Sequence, residues 1–271
     1  ARVQQIEGLT KIPLPQLAVG DELVVPKIDF HPTDPYITPN ASFYRIDTAL
    51  SFPRVDREKW KLRIHGLVER EKFFSMDDLL ALPQVERIIT LCCVSNQVGG
   101  PLIGNAVWRG VLLKDVLESC GIKKNAQQVF CTSLDGWTSG FPITAAMDGR
   151  DALIAIGMNG ESLPIMHGYP ARLVVPGLYG YVSATKWLSE INITTWAEEE
   201  GYWIPRGWSR DAPVKTQSRI DVPRQGESIA TGKFRLAGAA WAQHTGIEKV
   251  EIRIDRGNWQ TCDLGGDLTD D

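Results

Sequence analysis

Residues 90–111 read TLCCVSNQVGGPLIGNAVWRGV and set two adjacent cysteines between an apolar run and a glycine-rich, almost uncharged segment. The residues that lead into the pair, VERIITLCC, predict a buried strand aimed at this segment. We expect the residues between Cys93 and Gly110 to form a loop. Successive side chains of a strand point to opposite faces, so at most one of Cys92 and Cys93 faces that loop.

Three interpretations of these cysteines are open on the residues alone. A free cysteine at the end of an apolar strand is commonly a small buried hydrophobe, and we assign Cys92 to this class. The second interpretation makes Cys93 a nucleophile paired with a histidine, but no local signature of a cysteine protease surrounds it. The third makes Cys93 the single thiolate ligand of a metal that an organic cofactor already holds.

The other cysteines and the histidines argue against several site types. The chain has five cysteines, with no CxxC pair, and four histidines. These counts disfavour a disulfide scaffold, a zinc ribbon and a CxxCH haem attachment. The histidines are scattered, at His31, His65, His167 and His244. If Cys93 binds a metal, we therefore expect its other ligands not to be protein side chains.

The composition is that of an ordinary folded protein. The 271 residues are 43% hydrophobic and 23% charged, with a formal net charge of -4 and a pI near 5.7. This balance gives no global reason to expect nucleic acid or an anionic membrane as a partner. No run approaches the length of a transmembrane helix, and ARVQQIEGLTKIPLPQ lacks the apolar core of a signal peptide. A targeting segment or membrane anchor is expected only outside these residues.

The first part of the chain predicts a mixed α and β domain. Residues 1–60 are rich in proline and turn residues, which predicts extended chain on a domain surface. Ser75 and Asp78 in SMDDLLALP form a capping-box pattern for a short helix that Pro83 ends, and GVLLKDVLESCG predicts a helix capped by Gly121. Strands are predicted in KWKLRIHGLV, VERIITLCC, QQVFCTSL, ALIAIGMNGESLP with its Asn159-Gly160 turn, ARLVVP and KWLSEINITTW.

A domain boundary is predicted near residue 212. APVKTQSRIDVPRQGES is polar and punctuated by proline, and the period-two patterns that follow it, in GKFRLAGAAWA and IEKVEIRIDRGNWQTCDL, carry no helical signal. We divide the chain into residues 1–211 and 212–271. The second region holds about three or four strands, fewer than a complete sandwich needs, so we expect a β domain that is incomplete at its C-terminal end.

Several stretches in order along residues 36–262 resemble one enzyme family. CVSNQVGGPLIGNAVW is similar to the cysteine loop of the sulfite oxidase family of molybdenum enzymes. YITPNASFYR resembles the N-terminal motif of that family, and MNGESLPIMHGYPARLVVPGLYGYVSATKW resembles its pterin-binding block. GAAWAQHTGIEKVEIRIDRGNWQ is similar to the start of its immunoglobulin-like dimerisation domain. The resemblance implies an α+β fold: a mixed α/β molybdopterin-binding domain followed by a partial immunoglobulin-like β-sandwich.

The resemblance also implies roles for individual residues. Cys93 is then a permanent thiolate ligand of molybdenum, and Arg45 reaches the active site to stabilise an oxyanion. Trp108 shapes the pocket wall, and Trp208 falls at or near the position of an active-site tyrosine. Cofactor contacts are implied for Tyr44, Arg45, Asn96, Asp135, His167, Arg172, Ser183 and Lys186. Arginine, lysine and glycine suit a phosphate-bearing cofactor because they supply a planar fork, a compact charge and close backbone N–H groups.

The sequence departs from the family pattern where the substrate binds. Gln97 stands where an arginine is usual, and Tyr202 lies several residues before the expected tyrosine. The N-terminal motif continues as RIDTA instead of the family's R-N-H, so a usual pterin-contacting histidine is absent, and Asp47 lies nearby. Arg206 and Arg210 are candidates to restore positive charge. We therefore expect a poor sulfite oxidase that turns over less charged substrates, such as S-oxides or N-oxides, better.

The resemblance further implies partners and a location. No haem motif is present, so electrons are expected to pass to or from a separate carrier, such as a cytochrome or a membrane redox protein. Bacterial relatives of this kind are exported or membrane-tethered, which implies a periplasmic site, and the second domain implies a homodimer. Two alternatives stay open at this stage: a catalytically idle cofactor-binding or interaction module on the same scaffold, and a thiol enzyme that uses Cys93.

Overall fold

A computed structural model describes residues 11–17, 35–243 and 245–265. Two of the four histidines, His31 and His244, lie outside these ranges, as does much of the N-terminal stretch. Within residues 11–17 and 35–60 the chain forms no helix or strand, as the proline-rich pattern predicted. Ile12 of this stretch is buried in the core, so the extended chain packs onto the domain.

The first sheet has five strands in the order β2-β1-β10-β5-β6. Only the β1–β10 pair in this sheet is parallel. The strands are β1 (Lys61–Gly66), β2 (Lys72–Ser75), β5 (Gln128–Ser133), β6 (Thr138–Pro142) and β10 (Leu188–Thr194).

The second sheet carries the cysteine pair at the end of its edge strand. Its order is β3-β4-β7-β8, and β9 also pairs with β7. All six residues of β7 are buried, which fits its run of apolar side chains. The strands are β3 (Val85–Cys92), β4 (Ile103–Leu112), β7 (Leu153–Met158), β8 (Glu161–Ser162) and β9 (Arg172–Val174).

The helices are short and connect the strands. The predicted capping box is confirmed at α1 (Met76–Ala81), where Ser75 and Asp78 bond each other's backbone N–H groups. α2 (Leu113–Cys120) ends at Gly121, whose φ of 74° favours glycine. The remaining helical elements of the described residues are α3 (Ile143–Met147), α4 (Gly180–Ser183) and two 3-10 helices, Ile165–His167 and Ile204–Arg206.

The loop expected between Cys93 and Gly110 is much shorter than the sequence indicated. Its second half is strand β4, which pairs with β3 on one side and β7 on the other. The two glycines of β4, Gly104 and Gly110, permit close packing of neighbouring groups. A Cβ at Gly110 would lie 2.1 Å from the carbonyl oxygen of Ile154, and one at Gly104 would lie 2.6 Å from the Phe43 ring. The expectation was wrong because glycine inside a strand can also mark the close approach of another group, as it does here.

The second region contains four described strands in two separate two-stranded sheets. One of them, β11 (Gln217–Val222), lies in the polar, proline-punctuated stretch at the predicted boundary, and it pairs with β12 (Ala237–Trp241). The other two are β13 (Glu251–Ile252) and β14 (Gln260–Thr261). The side chain of Gln243 donates to the backbone oxygen of Thr90 at 2.7 Å, which joins this region to β3. The boundary at residue 212 and the immunoglobulin-like character stay predictions.

No helix within the described ranges has both the length and the apolar character that a membrane crossing requires.

Candidate active site

A cavity of about 210 Å³ lies where β3 ends and β9 begins. Its wall combines charged groups, one thiol and several aromatic rings, a mixture typical of ligand sites. The lining residues come from positions 43–48, 93–95, 133–137 and 167–187, together with Trp203 and Trp208.

The two cysteines have different surroundings. Cys92 is buried, and burial raises the pKa of its thiol to about 11. Cys93 is half-buried and lines the cavity. Its backbone closes the base of the following loop, with the N–H donating to Leu102 and the carbonyl accepting from Asn96, both at 2.9 Å. As strand alternation predicted, only the second thiol faces the cavity.

Arg172 presents a buried positive charge to the same cavity. Its side chain donates to the carbonyl oxygens of His167 at 3.0 Å and Ala184 at 3.3 Å. Over residues 11–17, 35–243 and 245–265, no carboxylate pairs with it. Burial lowers the pKa of the guanidinium to about 10, so the group stays charged at neutral pH. A buried cation held by carbonyl dipoles and the face of the Trp108 ring is stabilised further by an anionic ligand.

Two neutral hydrogen-bonding groups stand near this cation. Burial lowers the pKa of His167 to about 4, so its ring is uncharged at neutral pH. Its Nε2 lies 2.9 Å from the carbonyl oxygen of Asn40, which only accepts, so Nε2 carries the proton and Nδ1 is an acceptor. Burial raises the pKa of Tyr44 well above its usual range, and its phenol is therefore a neutral donor.

A second charged group forms around Asp47. Its Oδ2 accepts from Lys186 Nζ at 2.6 Å and from Arg45 Nε at 2.7 Å. Burial alone would raise the pKa of Asp47, but the hydrogen bonds from Arg45 and Lys186 outweigh it and lower the pKa below its usual value. Burial lowers the pKa of Lys186 to about 8, although its pairing with Asp47 opposes the change.

Arg45 does not reach the cavity, contrary to the sequence expectation. The cavity is lined by its neighbours in the chain, Phe43, Tyr44, Ile46, Asp47 and Thr48, but not by Arg45 itself. The guanidinium instead turns toward Asp47 and stacks over Phe52, 4.4 Å from the ring centre.

Three other predicted site residues lie behind the cavity wall. Trp108 is fully buried and donates to the backbone of Ile89 at 3.1 Å, so its contact with a substrate would be indirect. Asn96 accepts from the backbone of Leu102 at 2.8 Å, and Ser183 donates to the backbone of Leu178 at 3.0 Å. These bonds fix the local backbone, and Nδ2 of Asn96 is buried with no hydrogen-bond partner among the described residues.

The other predicted residues come together at the cavity. Cys93, Asp135, His167, Arg172, Lys186, Tyr44 and Trp208 all line it. The carboxylate of Asp135 accepts from the backbone N–H of Trp137 at 3.1 Å, which fixes its orientation.

An aromatic wall was missed by the sequence analysis, apart from Trp208. The rings of Trp203 and Trp208 stack with centres 4.4 Å apart, and the Tyr181 ring meets Trp208 edge-on at 4.8 Å. Trp137 also lines the cavity. We define Trp137, Tyr181, Trp203 and Trp208 as the aromatic wall. The tryptophan-rich stretch GYWIPRGW contains two of these four residues, Trp203 and Trp208, and could have indicated them.

The two candidate replacement arginines lie outside the cavity lining. Arg206 stacks on the ring of Tyr202, with 3.7 Å between its guanidinium carbon and the ring centre. Arg210 pairs with Glu200 at 2.7 Å. Tyr202 and Gln97 are also absent from the lining. The charge missing at Gln97 is therefore not restored by either arginine in this structure.

Comparisons with known proteins agree on one family. Residues 49–203 match the family model described as "Oxidoreductase molybdopterin binding domain". Mitochondrial sulfite oxidase of Homo sapiens is 30% identical over 278 residues, which cover 87% of this chain and 50% of that protein. Sulfite oxidase of Arabidopsis thaliana is 31% identical over 274 residues, covering 83% of this chain and 69% of that one.

A solved structure supports the fold. The sulfane dehydrogenase SoxCD from Paracoccus pantotrophus superposes with a TM-score of 0.73 at 26% identity, covering 98% of this chain and 74% of that one. The chain spans about half the length of the mitochondrial sulfite oxidases that it matches.

Proposed function

Since this chain belongs to the sulfite oxidase family of molybdopterin-dependent oxidoreductases, we propose that it moves an oxygen atom to or from a small organic substrate. The proposed overall reaction is substrate oxide + 2 e⁻ + 2 H⁺ ⇌ substrate + H₂O. The electrons are exchanged with a separate carrier. The observation that carries the proposal is a cavity holding both the Cys93 thiol and the unpaired Arg172 cation.

The residues present fit a molybdenum cofactor. Cys93 would supply the thiolate ligand, since a soft thiolate suits a metal held by dithiolene sulfurs. Arg172 and Lys186 would hold the anionic part of the cofactor, because both are cations in the wall of the cavity. When bound, this cofactor supplies the oxygen-atom transfer and the two-electron change.

The protein's own contribution is orientation and hydrogen bonding. Tyr44 and His167 stay neutral at physiological pH, so each holds a proton, at Oη and at Nε2 respectively. Tyr44 Oη is available in the cavity to donate to an oxygen of the bound group. Arg172 is already fixed by backbone carbonyls and Trp108, so little reorganisation is needed when an anion binds.

The cavity wall favours an uncharged organic substrate. The aromatic wall offers ring faces and edges that pack against methyl, methylene or aromatic groups. A sulfite dianion requires several aimed donors, and Arg45, Arg206 and Arg210 all point their guanidinium groups elsewhere. Sulfoxides and amine N-oxides present one oxygen and apolar substituents, which match this wall better.

The proposal extends to the partner and the compartment. The carrier is proposed to be a cytochrome or membrane redox protein. A periplasmic location and a homodimer through residues 212–271 complete the proposal and rest on the family resemblance alone.

Dye-linked turnover on purified, molybdenum-loaded protein tests this function. We expect measurable reduction of dimethyl sulfoxide or trimethylamine N-oxide with a reduced dye, and weak sulfite oxidation. A sulfite kcat/KM at or above about 10⁴ M⁻¹s⁻¹, the lower range of ordinary enzymes, would contradict the substrate assignment. Full molybdenum content with no turnover on any of these substrates would favour an idle cofactor-binding module.

A further inference from the structure

We propose that Asp47 is a specificity-determining residue that keeps Arg45 out of the cavity and thereby disfavours oxyanions. Asp47 acts through Arg45, so its role is one of positioning. The inference deepens the proposed function, and rests on it for the link to substrate choice. The inference predicts a change in the affinity of the protein for oxyanions, and this affinity can be measured without turnover.

Asp47 holds Arg45 by two donors at once. Nε of Arg45 lies 2.7 Å from Oδ2 of Asp47, and Nη2 lies 3.1 Å from Oδ1. Such a bidentate pair fixes the plane of the guanidinium as well as its position. The Phe52 ring covers one face of this plane at 4.4 Å. Arg45 is thus held between Asp47, which lines the cavity, and Phe52, which does not, and Arg45 itself stays out of the lining.

Asp47 also pairs with Lys186, a cation that does line the cavity. Lys186 Nζ donates to Asp47 Oδ2 at 2.6 Å and to the carbonyl oxygen of Met166 at 3.3 Å. The side chains of Asp47 and Lys186 are only 7% and 9% exposed, so water screens this pair weakly. Lys186 already pairs with Asp47 and, in the proposed function, holds the cofactor, so it offers no free ammonium to an incoming oxyanion.

The cavity disfavours oxyanions because of the direction of the N–H donors, and not because of the net charge of the group. Arg45, Lys186 and Asp47 together remain positive, but the donors of both cations point at Asp47. The unpaired cation of the wall, Arg172, is assigned to the cofactor. An oxyanion therefore meets the Asp47 carboxylate without a free guanidinium beside it, whereas a neutral oxo compound incurs no such repulsion.

The test compares sulfate binding to the holoenzyme by isothermal titration calorimetry. Sulfate is an inert oxyanion, so its affinity is independent of turnover. Asp47→Asn should bind sulfate about tenfold more tightly or better, since released charged donors become available to the anion. Asp47→Glu, which keeps the carboxylate, should retain weak sulfate binding.

Two further variants separate this role from a general charge effect. Glu71→Gln removes one negative charge from the Arg63 pair on the first sheet and should leave sulfate affinity unchanged. In the double variant Asp47→Asn/Arg45→Gln the gain should disappear. An equal gain in Glu71→Gln, or a gain that survives in the double variant, would overturn the proposal.

Phe52→Leu provides an independent route if Asp47→Asn does not fold. It removes the ring that stacks on Arg45 but leaves the Arg45–Asp47 ion pair. Sulfate affinity should therefore rise, but by less than in Asp47→Asn. Unchanged sulfate affinity in every folded variant of Asp47 or Phe52 would refute the role of Asp47. If sulfate affinity rises as expected while no oxo compound is turned over, the proposed function fails and the role of Asp47 in anion rejection stands.

Discussion

The guanidinium carbon of Arg172 lies 4.9 Å from the centre of the Trp108 ring, and both residues are buried. The aromatic face offers the cation an electrostatic partner where water is excluded. Trp108 is fixed in turn by its hydrogen bond to Ile89. Trp108 therefore supports the cation from behind the cavity wall.

Arg172→Met should lower cofactor occupancy far more than it lowers the stability of the cofactor-free chain. The variant removes a buried charge that pairs with no carboxylate in the described part of the chain, and that relief offsets part of the lost bonds to backbone carbonyls. A charge-assisted hydrogen bond to the cofactor, of about 1.5 to 3 kcal/mol, is lost only in the loaded protein. Molybdenum per chain and thermal unfolding of the cofactor-free protein are the measurements.

Arg109→Met is the matched control for Arg172→Met. Arg109 is also shielded from solvent, but it pairs with Glu86 at 2.7 Å and donates to the backbone of Pro15. We expect this variant to lose stability while keeping full molybdenum content. Full molybdenum content in Arg172→Met would place the anion-binding group elsewhere.

Trp108→Phe and Trp208→Phe should have opposite effects. The first leaves the buried Ile89 carbonyl without its donor and should destabilise the protein by about 1 to 3 kcal/mol with little change in KM. The second alters the aromatic wall and should change the KM for sulfoxides with a smaller effect on stability, because Trp208 is only partly buried. Denaturant unfolding and steady-state kinetics measure both quantities. A changed KM in Trp108→Phe with unchanged stability would place that ring in the wall.

His167 should make the protein less stable as the pH falls from about 7.5 to 5. Burial lowers the pKa of its folded form to about 4, against an ordinary value of 6.5. Between these values the unfolded chain binds the proton and the folded chain does not, so acidification favours unfolding, by about 2 kcal/mol at pH 5. His167→Gln should remove that part of the pH dependence. Identical pH profiles of unfolding free energy in the two proteins would contradict this assignment.

The sequence predicted the parts of the site that depend on local pattern. Strand alternation indicated that Cys92 and Cys93 diverge, and the Ser75–Asp78 pattern indicated a helix start, because both features involve residues close together in the chain. The family resemblance located Arg172 and Lys186 at the cavity, although their burial and pairing were not foreseeable from it.

Orientation set by distant residues could not be predicted. The direction of Arg45 depends on Asp47, and Asp47 is fixed by Lys186, which lies 139 residues along the chain. Strand β4 was misassigned because the reason for Gly110, its approach to the Ile154 carbonyl, is visible only once β7 is in place.

Thiolate-to-metal absorption, measured beside molybdenum content in Cys93→Ser and Cys92→Ser, tests most directly whether the Cys93 thiol ligates the metal. Cys93→Ser should fold, lose the absorption and lose turnover. Cys92→Ser should keep both and lose about 1 kcal/mol of stability, since its side chain lies in the core. Parent-like absorption in Cys93→Ser, or equal loss of absorption in both folded variants, would contradict the assignment.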